Sequence, residues 1–452
     1  MIEQAPDWMP IQSKIDFSKI TKVTQDPNFV AFVHRVNNKE YLYWDRFKQI
    51  YKLTDLTAEE AWVYIRLVRF ANSKRIPLLD TKNRVFSYWL PDGVYEDLHF
   101  TDQHAAGEIL VENPDIPKSE RERFVISSLM EEAIASSQLE GAATTREVAK
   151  RMLRSGEKPK DKSEQMVFNN YQAMKHIKEL TQKPLSVDML NDIQTILTKD
   201  TLDDPSTSGR FRTDDPKERV HVEDTSTGEI LHVPPSAGEL KSRTDQLCKF
   251  ANEDDHYGFM HPVVKAVILH FWLAYIHPYV DGNGRTARAL FYWFMLKKGY
   301  YMTEYLAISR IIKDSPGQYK KAYLYSEIDG QDLTYFISFH MHTIRKAFDD
   351  MKQYLIRKSQ EHKEAMAKLA RYPDLNARQS QLLYHALTKP GSYYTIESHM
   401  NLYGVTYETS RTDLLDLENK GFLSKVTKGK SFIYLPADDI KERIKPPKKT
   451  NT

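Results

Sequence analysis

His277-Pro278-Tyr279-Val280-Asp281-Gly282-Asn283-Gly284-Arg285-Thr286-Ala287-Arg288 is the segment that decides the fold of this 452-residue chain. It follows a largely apolar run, residues 263–276, which predicts a helix buried on most sides. Pro278 ends that helix, the Gly-Asn-Gly sequence forms a tight turn, and a second helix is predicted over residues 286–298. Two apolar helices joined by a short turn predict a mainly α domain.

The same segment concentrates groups that bind and react with phosphates. Backbone N–H groups of a glycine turn before a helix form an anion-binding site, and Arg285 and Arg288 can bind further phosphate oxygens. Asp281 offers the hard oxygen that Mg²⁺ takes together with substrate phosphates, and His277 offers a base that titrates near neutral pH. Each feature alone is commonly structural: a capping histidine, a plain turn, solvated arginines. Their combination indicates phosphoryl or nucleotidyl transfer.

Helical periodicity extends on both sides of this segment. Helices are predicted over residues 58–71, 119–136, 163–182, 186–199, 237–252, 315–327 and 332–358. Residues 220–222 and 230–233 flank a polar turn and predict a small β-hairpin. The centre of the chain is therefore predicted to be all-helical with one inserted hairpin.

The C-terminal hundred residues follow a different pattern. Three short helices are predicted over 376–388, 395–402 and 407–420, followed by strands 422–426 and 431–435 with Gly429 between them. Three helices and a two-stranded wing are the order of a winged helix-turn-helix. Residues 376–452 hold 12 Lys and Arg against 8 Asp and Glu. This mild excess leaves two interpretations open, DNA binding and a protein-interaction or dimerisation module.

Composition and charge exclude several classes of protein. Hydrophobic residues make up 41% and charged residues 28% of the chain, as in a globular protein with a sizeable core. The formal net charge is +2, so there is no global electrostatic signature of a nucleic-acid-binding protein. With Cys248 as the single cysteine, an intramolecular disulfide is impossible. The N-terminus is unlike a signal peptide, and no apolar run resembles a membrane span; we expect a cytoplasmic protein without a membrane partner.

The segment 277–288 strongly resembles the motif HPFx(D/E)GNGRxxR of the Fic (Fido) family, with Tyr279 in place of Phe at a position expected to pack inward. The resemblance covers about residues 120–350 and includes Gly209-Arg210-Phe211-Arg212, His232-Val233-Pro234-Pro235 and His261-Pro262. It implies a helical bundle bearing a β-hairpin "flap". It also implies transfer of AMP from ATP to a protein hydroxyl, with release of pyrophosphate.

The resemblance assigns roles within the motif. His277 would be the general base that deprotonates a Ser, Thr or Tyr hydroxyl, and Asp281 would hold Mg²⁺ against the α- and β-phosphates. Gly282, Asn283 and Gly284 would form the anion hole. Arg285 would bind phosphate and Arg288 the γ-phosphate, and the ATP site would include Thr286 and Ala287. The intact Gly-Asn-Gly sequence favours adenylylation, because relatives that act as kinases differ there.

Further residues are implied outside the motif. Ile230, Leu231 and His232 of the flap would dock the backbone of the target as an added strand. Tyr319 and Tyr323 stand where the family places residues that contact adenine, although packing in the core explains two tyrosines equally well.

A second motif lies upstream. Ser136-Ser137-Gln138-Leu139-Glu140-Gly141 matches (S/T)xxxE(G/N), which family members regulated in cis carry on an inhibitory helix. There the glutamate pairs with the second arginine of GRxxR and prevents productive seating of the γ-phosphate. The resemblance thus implies that Glu140, with Ser136 and Gly141, inhibits through Arg288; the alternative is an ordinary carboxylate at a helix end.

These observations predict four parts: residues 1–115 of unknown role, a Fic domain over 116–358, a winged-helix domain over 372–440, and a basic tail over 441–452. The inhibitory helix at 119–145 and the flap at 218–235 lie inside the Fic domain. The predicted function is protein adenylyltransfer, dependent on ATP and Mg²⁺. One alternative is a DNA-binding transcriptional regulator whose Fic domain senses nucleotides, and another is a Fic enzyme with a different nucleotide or diphosphate donor. A homodimer is expected from the family.

Overall fold

The computed structural model describes residues 2–7, 10–11, 17–53, 55–105, 118–224, 227–253, 258–369, 372, 374–388, 391–428 and 431–444. The chain divides into two compact units, Met1–Met351 and Lys352–Thr452. The boundary predicted at residues 115 and 116, the turn residue Gly429 and tail residues 445–452 lie outside the described residues. No helix within these ranges is both long enough and apolar enough to cross a membrane.

The N-terminal part of the first unit has its own aromatic core. Its helices are α1 (Phe17–Val23), α2 (Pro27–His34), α3 (Trp44–Ile50), α4 (Ala58–Asn72) and α5 (Asp92–Ala105), with a π-helical turn at Arg35–Glu40 and an antiparallel hairpin of β1 (Lys74–Leu79) and β2 (Val85–Tyr88). Phe47 and Trp62 are fully buried in this core. Thr57 caps α4 through a capping box with Glu60, which explains why that helix begins where it does.

The central part is predominantly helical, as the periodicity predicts. Its helices are α6 (Lys118–Leu139), α7 (Arg146–Ser155), α8 (Lys162–Glu179), α9 (Val187–Thr198), α10 (Leu240–Asn252), α11 (Pro262–Ile276), α12 (Asn283–Lys297), α13 (Ile308–Asp314) and α14 (Pro316–Ile328). The hairpin consists of β3 (Val222–Glu223) and β4 (Ile230–His232), which are shorter than predicted. A last helix, α15, spans Thr334–Leu369.

Helices α11 and α12 form the centre of this core. Almost every residue of α11 is buried, because an apolar helix without a polar face can be accommodated only inside a protein. Helix α12 starts at Asn283, three residues before the predicted start. The prediction was wrong there because two residues of the Gly-Asn-Gly sequence already belong to the helix, with Gly282 as N-cap.

The second unit contains the elements predicted for it, in the predicted order. They are α16 (Ala377–Thr388), α17 (Ile396–Tyr403), α18 (Tyr407–Asn419), β5 (Leu423–Lys428), β6 (Ser431–Pro436) and a short α19 (Ile440–Arg443). The two strands pair antiparallel, and Leu383, Leu414 and Leu417 are fully buried between the helices.

Candidate active site at the junction of α11 and α12

His277 is the first residue after α11, and its backbone is left-handed with φ 46°. This conformation is uncommon for a residue other than glycine and turns the chain sharply away from the helix axis. The ring Nδ1 lies 3.1 Å from the carbonyl oxygen of Ala274. Because a carbonyl only accepts, Nδ1 carries the proton and donates, so the lone pair of a neutral ring is on Nε2. Burial lowers the pKa of His277 to about 4, so the neutral form predominates at pH 7.

The turn between the helices is held by the side chain of Asn283. Its Oδ1 accepts from the backbone N–H of Tyr279 at 2.9 Å, and its Nδ2 donates to the carbonyl of Tyr279 at 2.8 Å. Gly282 has φ 85°, and a Cβ there would lie 2.9 Å from Cγ2 of Thr198. This position therefore requires glycine for both conformation and space. The first N–H groups of α12, at residues 283–285, lack intrahelical acceptors by helix geometry and form the expected anion-binding N-terminus.

Asp281 lies at the edge of this N-terminus, with its side chain 46% exposed. Its Oδ1 accepts from the backbone of Gly282 at 2.6 Å, and its Oδ2 accepts from Arg285 at 3.2 Å. A single oriented carboxylate beside an anion site suits Mg²⁺, which uses one or two carboxylates together with substrate phosphates. Among the described residues there is no cluster of three or more His, Cys, Asp or Glu able to hold a metal.

Three residues assigned to ATP binding turn inward instead. The side chain of Arg285 is fully buried and donates to the carbonyl of Leu197 in α9 at 2.9 Å. Thr286 donates to the carbonyl of Gly282 at 2.8 Å, and Ala287 is fully buried. None of these three side chains therefore lies on the open side of the site. Arg285 instead orients the carboxylate of Asp281 through its hydrogen bond. Arg285 is buried and Arg288 is paired with Glu140, and phosphate binding by these two arginines stays a prediction.

Arg288 makes three hydrogen bonds to the end of α6. Its Nε donates to Oγ of Ser136 at 2.8 Å, and its Nη2 donates to the Ser136 carbonyl at 3.0 Å and to Oε1 of Glu140 at 2.8 Å. Burial opposes the charge of Glu140, but the guanidinium groups of Arg288 and Arg285 outweigh it and lower the pKa of the carboxyl. The sequence therefore identified both partners of this ion pair.

Glu140 also occupies the space in front of the turn. A Cβ on Gly284 would lie 2.2 Å from Oε1 of Glu140, so the carboxylate rests directly against the first turn of α12. Gly141, with φ 93°, ends α6 and allows the chain to turn back immediately after Glu140. An anionic side chain thus takes the position that the N-terminus of α12 offers to an anion.

Tyr319 and Tyr323 lie on α14, one turn apart. Their hydroxyls are 3.2 Å from each other, and that of Tyr319 is 3.0 Å from Nε2 of His270. Both rings are half-buried against the core. Burial raises the pKa of both hydroxyls, and the positive charge of Arg288 opposes that shift. The two tyrosines are thus close to the site and also part of the packing, so both interpretations of them remain compatible with the structure.

The three flap residues predicted to dock the target differ in their exposure to solvent. Ile230 is 55% exposed, and Leu231 is half-buried. His232 points inward: its Nδ1 lies 2.8 Å from Oε2 of Glu327, and its Nε2 lies 2.8 Å from the carbonyl of Tyr275. Only the backbone of His232 is therefore placed for strand addition.

Sequence reasoning missed Arg212 as a residue of the site. Its backbone N–H donates to the carbonyl of Pro278 at 2.9 Å. Its Nε donates to the carbonyl of His277 at 2.9 Å, and its Nη2 to that of Pro235 at 2.6 Å. It therefore ties the base of the flap to the backbone of His277. The sequence indicated that this residue matters, since Arg212 ends the Gly209–Arg212 stretch that matches the family. Its role was not predictable, because backbone carbonyls, which every residue carries, are its three side-chain and main-chain partners.

Comparison with known proteins finds similarity over the segment that contains this site. The Fic/DOC family model matches residues 184–295. The protein adenylyltransferase Fic of Drosophila ananassae is 36% identical over 97 residues, which are 22% of this chain and 17% of that protein. The corresponding Drosophila erecta protein is 30% identical over 131 residues, 27% of this chain and 24% of that protein. The match thus spans about a fifth of the length of these relatives.

A solved structure of a Fic family protein from Desulfovibrio desulfuricans G20 aligns over 76% of this chain and 94% of its own, with 18% identity and a TM-score of 0.48.

Proposed function

We propose that this chain, which carries a Fic domain, transfers AMP from ATP to a hydroxyl side chain of a target protein or of itself. The observation that carries the proposal is the geometry of His277. A neutral imidazole whose Nδ1 is fixed by Ala274 directs an unprotonated Nε2 beside the anion-binding N-terminus of α12. A base beside a bound phosphate is what removal of the proton from an attacking hydroxyl requires, and this geometry supports that role for His277.

The chemical step follows from this placement. The target hydroxyl oxygen attacks the α-phosphorus, its proton passes to Nε2 of His277, and the bond from the α-phosphorus to the bridging oxygen of pyrophosphate breaks. The N–H groups of the first turn of α12 stabilise the negative charge that grows on the α-phosphate oxygens. Arg288 is the available cation for the γ-phosphate once its ion pair with Glu140 is released.

Asp281 would hold Mg²⁺, which supplies charge neutralisation between the phosphates when bound. The protein prepares this position through Arg285. Its buried guanidinium fixes one carboxylate oxygen of Asp281 and leaves the side chain oriented toward the open site.

We further propose that α6 inhibits the reaction. Glu140 neutralises Arg288 and fills the space against Gly284, so a triphosphate that enters meets a carboxylate where its own negative charge must lie. Misplacement of a reacting group by about 1 Å can cost on the order of 10²-fold in rate. ATP that binds out of line is therefore held without reacting.

The experiment is incubation of the full chain with Mg²⁺ and ATP tagged on the α-phosphate, followed by mass spectrometry of modified proteins. We expect a mass addition of AMP on Ser, Thr or Tyr in the Glu140→Gly variant, and none in Glu140→Gly/His277→Ala. Parallel reactions with GTP, CTP and UTP address the alternative of a different donor. Labelling that persists in the double variant would refute the role of His277.

The charges of residues 376–440 do not favour the alternative function of a DNA-binding transcriptional regulator. Residues 376–440 hold seven basic and seven acidic residues, so the positive excess of the C-terminal region lies entirely in residues 441–452. Arg411, at the exposed start of α18, is paired with Glu408 at 3.1 Å. Since phosphate contacts dominate affinity for DNA, the net neutral helices and strands of residues 376–440 fit a protein-interaction module better.

A further inference from the structure

His232 joins three parts of the molecule. Its backbone belongs to β4 of the flap, its Nδ1 contacts Oε2 of Glu327 on α14, and its Nε2 contacts the carbonyl of Tyr275, two residues before the catalytic base. Both distances are 2.8 Å, and the imidazole is 9% exposed. Glu327 is a residue that the resemblance to the Fic motif does not reach.

The charge of His232 follows from its partners. A carboxylate and a backbone carbonyl both accept hydrogen bonds, so both ring nitrogens donate and the ring is an imidazolium. Burial disfavours that charge, but the hydrogen bond to Glu327 outweighs it and raises the pKa of His232. Near this ring lie also Arg212, whose charge works against protonation, and His277, which is neutral. The ring of Tyr275 is 4.8 Å away between centroids, and burial raises its pKa to about 12, so it is uncharged at neutral pH.

The segment that directly follows Glu327 is held by the N-terminal part of the chain. Two residues further on, Asp329 accepts from Arg66 of α4 at 3.1 Å and from Tyr335 at 2.6 Å. Asp332 accepts from Tyr41 at 2.6 Å. These groups are buried, and Arg66 is 6% exposed. The C-terminal end of α14 is therefore fixed, and Glu327 is presented to the flap from a rigid support.

We propose that Glu327 is a positioning residue, which holds the flap against the end of α11 by its ion pair with His232. The strand that would receive the target is thereby kept in register with His277, two residues beyond Tyr275. This inference rests on the proposed function, because its purpose is to align a target hydroxyl with the base. It also gives the N-terminal region a role, since Arg66 and Tyr41 support the segment that carries Glu327.

The test compares Glu327→Gln, which keeps the shape but removes the charge, with Glu327→Asp, which keeps the charge. Glu179→Gln is the matched control, because Glu179 also faces a histidine, His176 at 3.6 Å, on the exposed surface of α8. The first measurement is hydrogen–deuterium exchange of peptides from residues 227–235 and from α11. We expect Glu327→Gln to raise exchange in the flap about tenfold. Exchange in α11 should stay as in the control, and Glu327→Asp should lie between Glu327→Gln and wild type.

The second measurement is AMP transfer in the Glu140→Gly background. We expect Glu327→Gln to lower kcat for self-modification and to leave the KM for ATP unchanged, because neither Glu327 nor His232 is among the residues assigned to ATP binding. Unchanged flap exchange in Glu327→Gln overturns the inference. A rise in exchange with unaltered kcat overturns its link to the reaction.

Exchange also separates this inference from the proposed function. If no variant transfers AMP, the proposed function fails, while the flap peptides still report whether Glu327 holds the hairpin. A third readout covers a variant that unfolds: NMR titration of the wild-type chain should show the pKa of His232 raised above the ordinary value for histidine. A pKa of His232 at or below that value overturns the ion pair without any substitution.

Discussion

Removal of Glu140 is the perturbation that most directly tests how this site is controlled. Glu140→Gly removes the ion pair with Arg288. That pair is 2.8 Å long, and the side chain of Arg288 is only 5% exposed. Ser136 keeps its two hydrogen bonds to Arg288, so the guanidinium stays in place and becomes available to a phosphate. The carboxylate that rests against Gly284 is removed at the same time.

The size of the effect follows from the contact that is lost. A hydrogen bond between charged groups contributes about 1.5–3 kcal/mol, and each 1.4 kcal/mol is a factor of ten. If a triphosphate must displace Glu140 to reach Arg288, its removal should raise the rate of AMP transfer roughly 10–100-fold. Glu140→Gln should give a smaller rise, because an amide still fills the space and can accept one hydrogen bond.

The assay measures self-modification and total protein labelling at saturating ATP and Mg²⁺. Glu147→Gln serves as the control, since it removes an exposed carboxylate from the first turn of the next helix. Calorimetric titration of ATP separates affinity from rate, and we expect the larger change in rate. Equal rates for wild type and Glu140→Gly, with Glu147→Gln also unchanged, would refute the reasoning and leave Glu140 as a structural carboxylate.

Four further outcomes are expected. Because the pKa of His277 lies near 4, the base is unprotonated above that value. The pH profile of AMP transfer by Glu140→Gly should therefore be flat from pH 6 to 8 and fall only as the pH approaches 4. A loss of activity with an apparent pKa near 6.5 would contradict the assignment of His277 as the base. Gly284→Ala places a Cβ in the space that Glu140 occupies. Added to Glu140→Gly, this substitution should abolish labelling. Labelling at the level of Glu140→Gly alone would show that only the contact with Glu140 matters at this position. Arg285→Met removes the donor to the buried carbonyl of Leu197, and urea unfolding should show a loss of about 1–3 kcal/mol, against no change if water satisfies that carbonyl. Any salt-dependent binding of duplex DNA by the full chain should be largely lost on deletion of residues 445–452, and its persistence would locate phosphate contacts in the folded unit.

Local order along the chain was accessible from the sequence. Apolar spacing predicted α8 and α9 to within a few residues, and Ser186 caps α9 as its residue type suggests. The buried position of Tyr279 was also predicted, and its hydroxyl finds Asn191 at 3.1 Å. These features depend on neighbours in sequence and on the period of a helix, which one chain displays directly.

Boundaries were less accessible where two signals conflict. Glycine is a poor helix former, which placed the start of α12 at Thr286, yet Asn283 and Gly284 are helical. The side chain of Asn283 closes the turn on Tyr279 and begins the helix early. Propensity describes the average cost of a residue in a helix, and two specific hydrogen bonds offset it here.

The sequence by itself determined which chemical groups this protein assembles: a histidine, a carboxylate, a glycine turn, two arginines and an upstream glutamate. It could not decide how the arginines are used, because residues three apart on a helix share a face but not a neighbour. Arg285 meets the carbonyl of Leu197 on α9, and Arg288 meets Ser136 and Glu140 on α6. Those contacts join residues 88 to 152 positions apart, and only the packing of helices brings such residues together.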